Sequence, residues 1–223
     1  MSEKNISFEA IKSYKKDFEY SYTLGAFPTV ELIKNKPEKI RNIYLHSHYK
    51  GDCDIEKLCR ERHIPVVHDD KVFNRISQKE NCFVAGVVKK YSCELMGDKN
   101  HVVLVNPSDM GNMGTIIRTA DSAGVDAIIL LKGCVDIYNP KVIRSTMGSI
   151  FDMNVIHTTQ EEALRILKLK KFDIVSSYLD TNNYYNTVEY NYKTALVIGN
   201  EANGINEELV SKSDVLVKIP IYG

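Results

Sequence analysis

Hydrophobic residues cluster most densely in the second half of the chain. His101-Val102-Val103-Leu104-Val105 is a near-continuous apolar run, the pattern of a strand buried on both faces. Asp126 to Leu131, Ile174-Val175, Ala195 to Ile198 and Val215 to Gly223 read as further strands. Between them the period lengthens. Asn112 to Ala123 predicts a helix, and Pro140 to Met147 another, with proline in its favoured first-turn position. Glu161 to Leu169 is amphipathic, with Leu164, Ile166 and Leu167 near one side. Asn206 is placed to cap a short helix whose first turn holds Glu207 and Glu208. Repeated strand–helix units imply an α/β fold with a mostly parallel sheet covered by helices. Tyr178 to Tyr192 reads as a polar loop rich in Tyr and Asn, and no internal repeat interrupts the series.

The signals of the first half are weaker. Residues 1–20 are rich in Lys, Glu and Tyr with a faint helical period, which predicts a short helix or an arm. Val30 to Lys34 suits a helix stopped before Pro37. Ile43-Tyr44-Leu45, Ile64 to Val67 and Phe83 to Val88 read as strands. Asp54 is placed to cap a helix with Glu56 in its first turn and Leu58 on its buried face. Residues 24–92 therefore predict a small α/β module. Glu94 to Asn100, polar and containing Gly97, is the expected linker, which divides the chain into residues 1–96 and 97–223.

Composition narrows the class. Hydrophobic residues make up 43% and charged residues 26%, as in ordinary globular proteins, which excludes disorder along most of the length. Net charge is zero but unevenly placed. Residues 1–96 hold 17 Lys and Arg against 14 Asp and Glu, and residues 97–223 hold 12 against 15. That small bias is compatible with a nucleic-acid-facing first half. The five cysteines form no C-x-x-C pair, which favours reduced thiols in the cytoplasm over a disulfide framework. His46 and His48 with Cys53 and Cys59 match no common zinc spacing, so no metal is expected. No apolar run approaches the roughly 20 residues of a membrane span. The first five residues lack the apolar core of a signal peptide.

Candidate chemistry gathers where predicted strands end, because ligands of open parallel sheets bind beyond the carboxyl ends of the strands. Val105 runs into Asn106-Pro107-Ser108-Asp109-Met110-Gly111-Asn112-Met113-Gly114, a tight turn before a helix. The first N–H groups of that helix are suited to an anion such as a phosphate. The turn is not G-x-G-x-x-G, so a nicotinamide-dependent oxidoreductase is a weak reading. Arg118, six residues beyond Asn112, is by itself most simply a solvated surface arginine. Asn139 to Ser149 reads as a helix ended by Gly148 in a left-handed conformation, which a plain capped helix explains equally well. Gly199-Asn200-Glu201-Ala202-Asn203-Gly204 follows a buried strand. It is either a generic Gly/Asn turn or a place where backbone approaches a ligand closely.

Asn112-Met113-Gly114-Thr115-Ile116-Ile117-Arg118-Thr119-Ala120, Leu196 to Glu201 and Val215 to Gly223, in that order, resemble the SpoU/TrmH family of RNA ribose 2′-O-methyltransferases, of the SPOUT superfamily. The resemblance covers residues 101–223 and implies a trefoil-knot α/β fold that binds S-adenosyl-L-methionine in a bent shape. It implies that Asn112 and Arg118 form a catalytic motif, with Arg118 at the ribose hydroxyl and Glu201 shaping the active site. It further implies that Gly199, Asn200, Ile219 and Gly223 line the cofactor, and that Arg144 and Ser145 face the same site and meet RNA. Because a guanidinium does not readily yield its proton, Arg118 is expected to hold a phosphate and stabilise the developing alkoxide. The first module resembles the substrate-binding module often attached ahead of such domains, related in fold to small ribosomal RNA-binding proteins. Ribosomal RNA is accordingly expected over transfer RNA, with a cytoplasmic homodimer. In the family a Ser-Leu-Asn motif and a threaded helix follow Ile-Pro-x-x-Gly, whereas this sequence stops at Tyr222-Gly223. The expectation is thus a domain cut within its third motif, with an incomplete knot and a weakened dimer. The alternative is a non-catalytic RNA-binding protein that keeps the fold and lacks a complete cofactor site.

Overall fold

The computed structural model describes residues 11–51, 53–77, 81–95 and 99–221. The chain divides into two compact units. The first runs to Lys90 and includes Tyr138–Arg144; the second comprises Tyr91–Ile137 and Ser145 onward.

The first unit is built on a four-stranded sheet of β1 (Tyr20–Leu24), β2 (Ile40–Leu45), β3 (Val66–His68) and β4 (Val84–Lys89), in the order β1-β4-β2-β3. β4 pairs antiparallel with both β1 and β2, and β2 pairs parallel with β3. Helix α1 (Ala26–Asn35) begins earlier than expected, with Pro28 in its first turn, and ends just before Pro37. Helix α2 (Ile55–Glu61) starts at Asp54, whose carboxylate accepts from the Lys57 amide at 2.8 Å. It buries Ile55 and Cys59, one turn apart, and leaves Leu58 half-buried beside them. Helix α3 (Asp70–Ile76) is capped by Asp69.

Of the segment 1–20, expected as a short helix or an arm, residues 1–10 lie outside the described residues; residues 11–19 form neither helix nor strand, and β1 follows them. Its polar spelling concealed it. Ser21 and Thr23 are completely buried, but both are satisfied. Ser21 Oγ donates to the Tyr138 carbonyl. Thr23 Oγ1 shares a 2.7 Å hydrogen bond with Thr29 Oγ1 of α1 and accepts from the Gly86 amide of β4 at 2.8 Å. Buried hydroxyls with partners cost little, so two polar residues fit a strand that is otherwise core.

The second unit holds six strands: β5 (His101–Leu104), β6 (Ala127–Leu131), β7 (Asn154–Thr158), β8 (Asp173–Ser177), β9 (Thr194–Ile198) and β10 (Val215–Val217). Their order is β10-β8-β9-β5-β6-β7, and every pairing is parallel. Helix α4 (Met110–Ser122) buries Met113, Gly114, Ile117 and Ala120, a stripe along one side. Helix α5 (Pro140–Ser145) belongs to the first unit except for its last residue, and Gly148 follows it at φ 98°, in the left-handed conformation expected of it. Helix α6 (Gln160–Leu169) is capped by Thr159 and buries Ala163, Leu164 and Leu167 in a core with Val103, Ile174 and Val197. Helix α7 (Glu207–Lys212) is capped by Asn206, whose side chain accepts from the Leu209 amide at 2.9 Å. The Tyr/Asn-rich segment 178–192 is pinned along β10. The Tyr185 amide donates to the Lys218 carbonyl, and the Lys218 amide donates to Asn183.

Thr23 joins β1, β4 and α1 through one hydroxyl. Thr23→Val keeps its shape, leaves the Gly86 amide buried without that partner, and is expected to lower stability by about 1–3 kcal/mol. Thr23→Ser should restore most of the loss. Urea denaturation of the three proteins provides the comparison, and a valine variant as stable as the parent contradicts this role.

Candidate active site

In chain order the strands run outward from β5 through β6 to β7, then return on the other side as β8, β9 and β10. The direction reverses between β5 and β9. Chains leaving two such neighbours diverge and open a crevice at their carboxyl ends, the usual ligand site of open parallel sheets. The two segments that emerge there are Asn106 to Asn112 and Gly199 to Gly204.

The first segment turns sharply. Asn106 adopts a positive φ of 55°, which asparagine tolerates better than most residues. Asp109 then caps α4, its carboxylate accepting from the Asn112 amide at 2.7 Å. This fixes Asn112 in the first turn of α4, at the mouth of the crevice.

The second segment is closed by reciprocal backbone bonds between Asn200 and Gly204, at 3.0 and 2.9 Å. Gly199 permits that closure. A Cβ built there would lie 2.4 Å from the carbonyl carbon of Gly204, so any side chain would force the loop apart. Asn200 then ties the two segments together. Its Nδ2 donates to the Asn106 carbonyl at 2.8 Å and to Glu201 Oε2 at 3.3 Å. Its Oδ1 accepts from the amides of Ala202 and Asn203 at 2.9 and 3.2 Å. Both donors and both lone pairs of this carboxamide are thereby engaged within the protein.

Across the crevice, Asn112 Nδ2 donates to Glu201 Oε1 at 2.8 Å. The bond joins residues 89 positions apart. It is the main reason the Glu201 carboxyl titrates below its usual range, with a smaller contribution from the residue's own backbone amide. Glu201 is exposed and remains an anion at neutral pH.

Two concavities meet at this pair. The smaller, of about 250 Å³, is lined by Leu104 and Ile198 from the strand ends, by Pro107, by Asn112, Thr115 and Ile116 of α4, and by Gly199 and Glu201. The larger, of about 430 Å³, lies on the other side of the Gly199–Gly204 loop, with Tyr178, Leu179, Ile219 and Ile221 among its walls. Gly199 and Glu201 belong to both.

The geometry thus brings Asn112, Gly199, Asn200, Glu201 and Ile219 to one place. Ile219 lines the larger concavity while remaining 66% exposed. Arg118 is exposed and lines neither concavity. At about 100° per residue, it points roughly 120° around α4 from Asn112, with Thr115 between them. Ser145 donates its hydroxyl to the Met110 carbonyl at 3.1 Å and packs so tightly on Gly114 that a Cβ there would come 1.9 Å from Ser145 Oγ. Arg144 lines neither concavity and instead borders a cleft of the first unit. Gly223 lies outside the described residues. Among the described residues, no group of three or more His, Cys, Asp or Glu is placed to hold a metal ion. Nor is any helix among them long and apolar enough to cross a membrane.

Thr115 and Asn106 were not singled out from the sequence. Thr115 was accessible, because it lies three residues beyond Asn112 and so shares its side of the helix. Asn106 takes part through its backbone carbonyl, for which the sequence carries no signal.

Comparison with known proteins agrees with this architecture. The model of the SpoU rRNA Methylase family matches residues 99–223. The 23S rRNA (guanosine(2553)-2′-O)-methyltransferase RlmP of Bacillus subtilis is 30% identical over 155 residues, which span 69% of this chain and 62% of that protein. A tRNA/rRNA methyltransferase homologue of Mycoplasma pneumoniae, described as uncharacterized, is 36% identical over 124 residues, 54% of this chain and 51% of that one. The chain therefore spans between half and two-thirds of the length of these relatives. Among solved structures, an rRNA methyltransferase from Sinorhizobium meliloti with bound AdoMet superposes with a TM-score of 0.81 at 25% identity, covering 92% of this chain and 80% of that one. The SpoU methyltransferase AviRb of Streptomyces viridochromogenes shares the fold, with a TM-score of 0.80 at 21% identity, covering 92% and 81%. A parallel sheet whose strand order reverses between β5 and β9, with two polar turns converging there, and a family match across the whole second unit's sheet lead to one conclusion: the chain belongs to the SpoU rRNA methylase family.

Proposed function

We propose that this chain catalyses transfer of a methyl group from S-adenosyl-L-methionine to a ribose 2′-oxygen of RNA, with ribosomal RNA favoured over transfer RNA. The observation that carries this reading is the junction of two concavities at the Asn112–Glu201 hydrogen bond. One side is suited to a cofactor and the other to an acceptor. The 23S rRNA specificity named for the Bacillus subtilis relative and the AdoMet named for the Sinorhizobium meliloti structure support the assignment.

The larger concavity fits the cofactor. Leu179, Ile219 and Ile221 offer apolar surface to an adenine ring, and the bare backbone at Gly199 leaves room where a Cβ would block. Gly199 and Ile219 would hold the cofactor, with Asn200 shaping the loop around it; Gly223, two residues beyond Ile221, completes the proposed set. When bound, S-adenosyl-L-methionine supplies a methyl group already activated by its positively charged sulfur.

The chain's own residues then orient the acceptor. Glu201 is ionised and can only accept hydrogen bonds, so the Asn112 carboxamide must present its nitrogen to Glu201. Asn112 Oδ1 is thereby turned outward as an acceptor for a ribose hydroxyl. The depressed pKa makes Glu201 an orienting group and a poor proton acceptor, and the hydroxyl proton leaves to water. Arg118 stays charged, holds an RNA phosphate and stabilises developing charge on the 2′-oxygen. Alignment of the reacting atoms is expected to provide the largest share of the rate, on the order of 7–11 kcal/mol. Arg144 and Ser145 are proposed on the RNA path, the first by direct contact and the second through its hydroxyl bond to the Met110 carbonyl of α4. The first module is proposed to bind substrate. A cytoplasmic homodimer completes the reading, supported by the five free cysteines and by exposed Leu179, Ile219 and Ile221.

Ribosomal RNA from cells lacking this protein, incubated with methyl-labelled S-adenosyl-L-methionine, should acquire label in an alkali-resistant dinucleotide. Absence of transfer with RNA still bound would favour the non-catalytic alternative. Arg118→Ala is expected to reduce transfer by at least about a hundredfold. Cofactor affinity, measured by calorimetry, should stay nearly unchanged. Parallel loss of cofactor binding contradicts the role given to Arg118.

Removing the donor that favours the carboxylate should raise the Glu201 pKa. In Asn112→Ala the titration midpoint of the Glu201 side chain, followed by carboxyl NMR, should move up toward the ordinary glutamate value. In the parent protein the Asn112–Glu201 bond should persist through neutral pH and weaken only as pH falls through the depressed midpoint. A midpoint unmoved by the substitution contradicts the pairing.

A further inference from the structure

We propose that the first unit carries a separate grip for the RNA sugar–phosphate backbone, a cleft ringed by Arg75, Lys141 and Arg144. This rests on the reading that the chain acts on RNA, and assigns part of that RNA a place on the first unit.

The cleft encloses about 610 Å³. Among the described residues that line it, three are cations and none is a carboxylate. Arg75 lies in the last turn of α3. Its carbonyl accepts from Ser13 Oγ at 2.8 Å, which fastens segment 11–19 to that end of the helix. Lys141 and Arg144 are three residues apart on α5 and so rise from the same side of it. Arg75 and Lys141 are exposed and Arg144 is half-buried. Among the described residues, none of the three takes part in a salt bridge. A fourth cation stands nearby: Lys90 Nζ sits 4.9 Å from the ring centre of Tyr14, which lines the same cleft.

Cations gathered around a concavity whose described lining holds no carboxylate repel one another, a cost that a polyanion relieves on binding. The rest of the lining favours nucleotides over a bare ion. Leu24, Ile76 and Pro140 present apolar surface for sugars and bases, and the Asn74 and Asn139 side chains reach the same wall. Two guanidiniums suit the paired oxygens of phosphodiesters better than ammonium groups would. The cleft is larger than one phosphate requires and lies within the size range of sites for small organic ligands, which points to a short stretch of single-stranded RNA.

The test uses the full chain and a fluorescent oligouridylate of about twelve nucleotides, with binding followed by anisotropy between roughly 50 and 200 mM salt. Combining Arg75→Ala, Lys141→Ala and Arg144→Ala should weaken binding at low salt by at least tenfold. It should also reduce the slope of log affinity against log salt by about 2, at roughly 0.7 per phosphate contact. A protein with Arg75→Lys and Arg144→Lys should keep the parent slope, because its charges are retained. S-adenosyl-L-methionine affinity should be the same in all three proteins, which also reports an intact fold. The proposal is overturned if the alanine protein keeps the parent slope, if the parent fails to bind the oligouridylate, or if polyglutamate of equal charge competes as well as RNA. Should RNA affinity depend on the three cations while no methyl is transferred, the proposed function fails and the cleft stands. Should methyl transfer proceed while the alanine protein binds RNA like the parent, the cleft fails and the function stands.

Discussion

One side chain holds the candidate site together. Asn200 closes its own loop by accepting two backbone amides and reaches across the crevice to the carbonyl of Asn106. Without that tether the segments after β5 and β9 would be independent turns on neighbouring strands. With it, Asn112 and Glu201 come within hydrogen-bonding distance despite their separation in sequence. Each hydrogen bond contributes only about 1 kcal/mol net, so its value lies in fixing geometry more than in stabilising the fold. Gly199 is the necessary companion, since the loop can close this tightly only where no side chain intervenes.

The sheet supplies the setting. A wholly parallel array that reverses direction between β5 and β9 must open at that point, whatever residues occupy the turns. The chemistry is then a matter of which side chains face the opening. Among the described lining residues the charged ones are Glu201 and Lys218, the rest of the rim is polar and uncharged, and the walls are apolar on both sides. That composition suits an uncharged hydroxyl meeting an already activated methyl group better than a reaction that needs a strong acid or base. The catalytic demand falls on alignment, which a rigid tether between two strands can meet.

Much of the second unit was legible in the sequence because parallel strands buried on both faces are spelled as continuous apolar runs. His101 to Val105 and Asp126 to Leu131 were found this way, and capping asparagine and aspartate marked α7 and α2. β7, at the sheet's edge, is only partly buried, and its mixed Asn154-Val155-Ile156-His157-Thr158 offered no clear run. β1 was missed for the opposite reason: it is buried, but its hydroxyls find partners supplied by Gly86 and Thr29, which no local pattern reveals. In the site, the turns themselves were visible as Gly, Asn and Pro clusters. The tether was not, because nothing in Gly199-Asn200-Glu201 says that Asn200 reaches a carbonyl 94 residues away. Arg144 and Ser145, adjacent in sequence and expected at one site, have different surroundings. Ser145 is held against α4 while Arg144 borders the basic cleft, a separation that consecutive positions on a helix make natural.

The most direct test is to titrate the isotopically labelled protein with S-adenosyl-L-methionine and follow its amide resonances. If the tethered loops form the cofactor site, the largest shifts should fall on the backbone of Gly199 to Gly204 and on the Asn112 and Asn200 side-chain amides, with β6 and β7 unaffected. Shifts centred on β6 and β7, or none at saturating cofactor, would contradict the account.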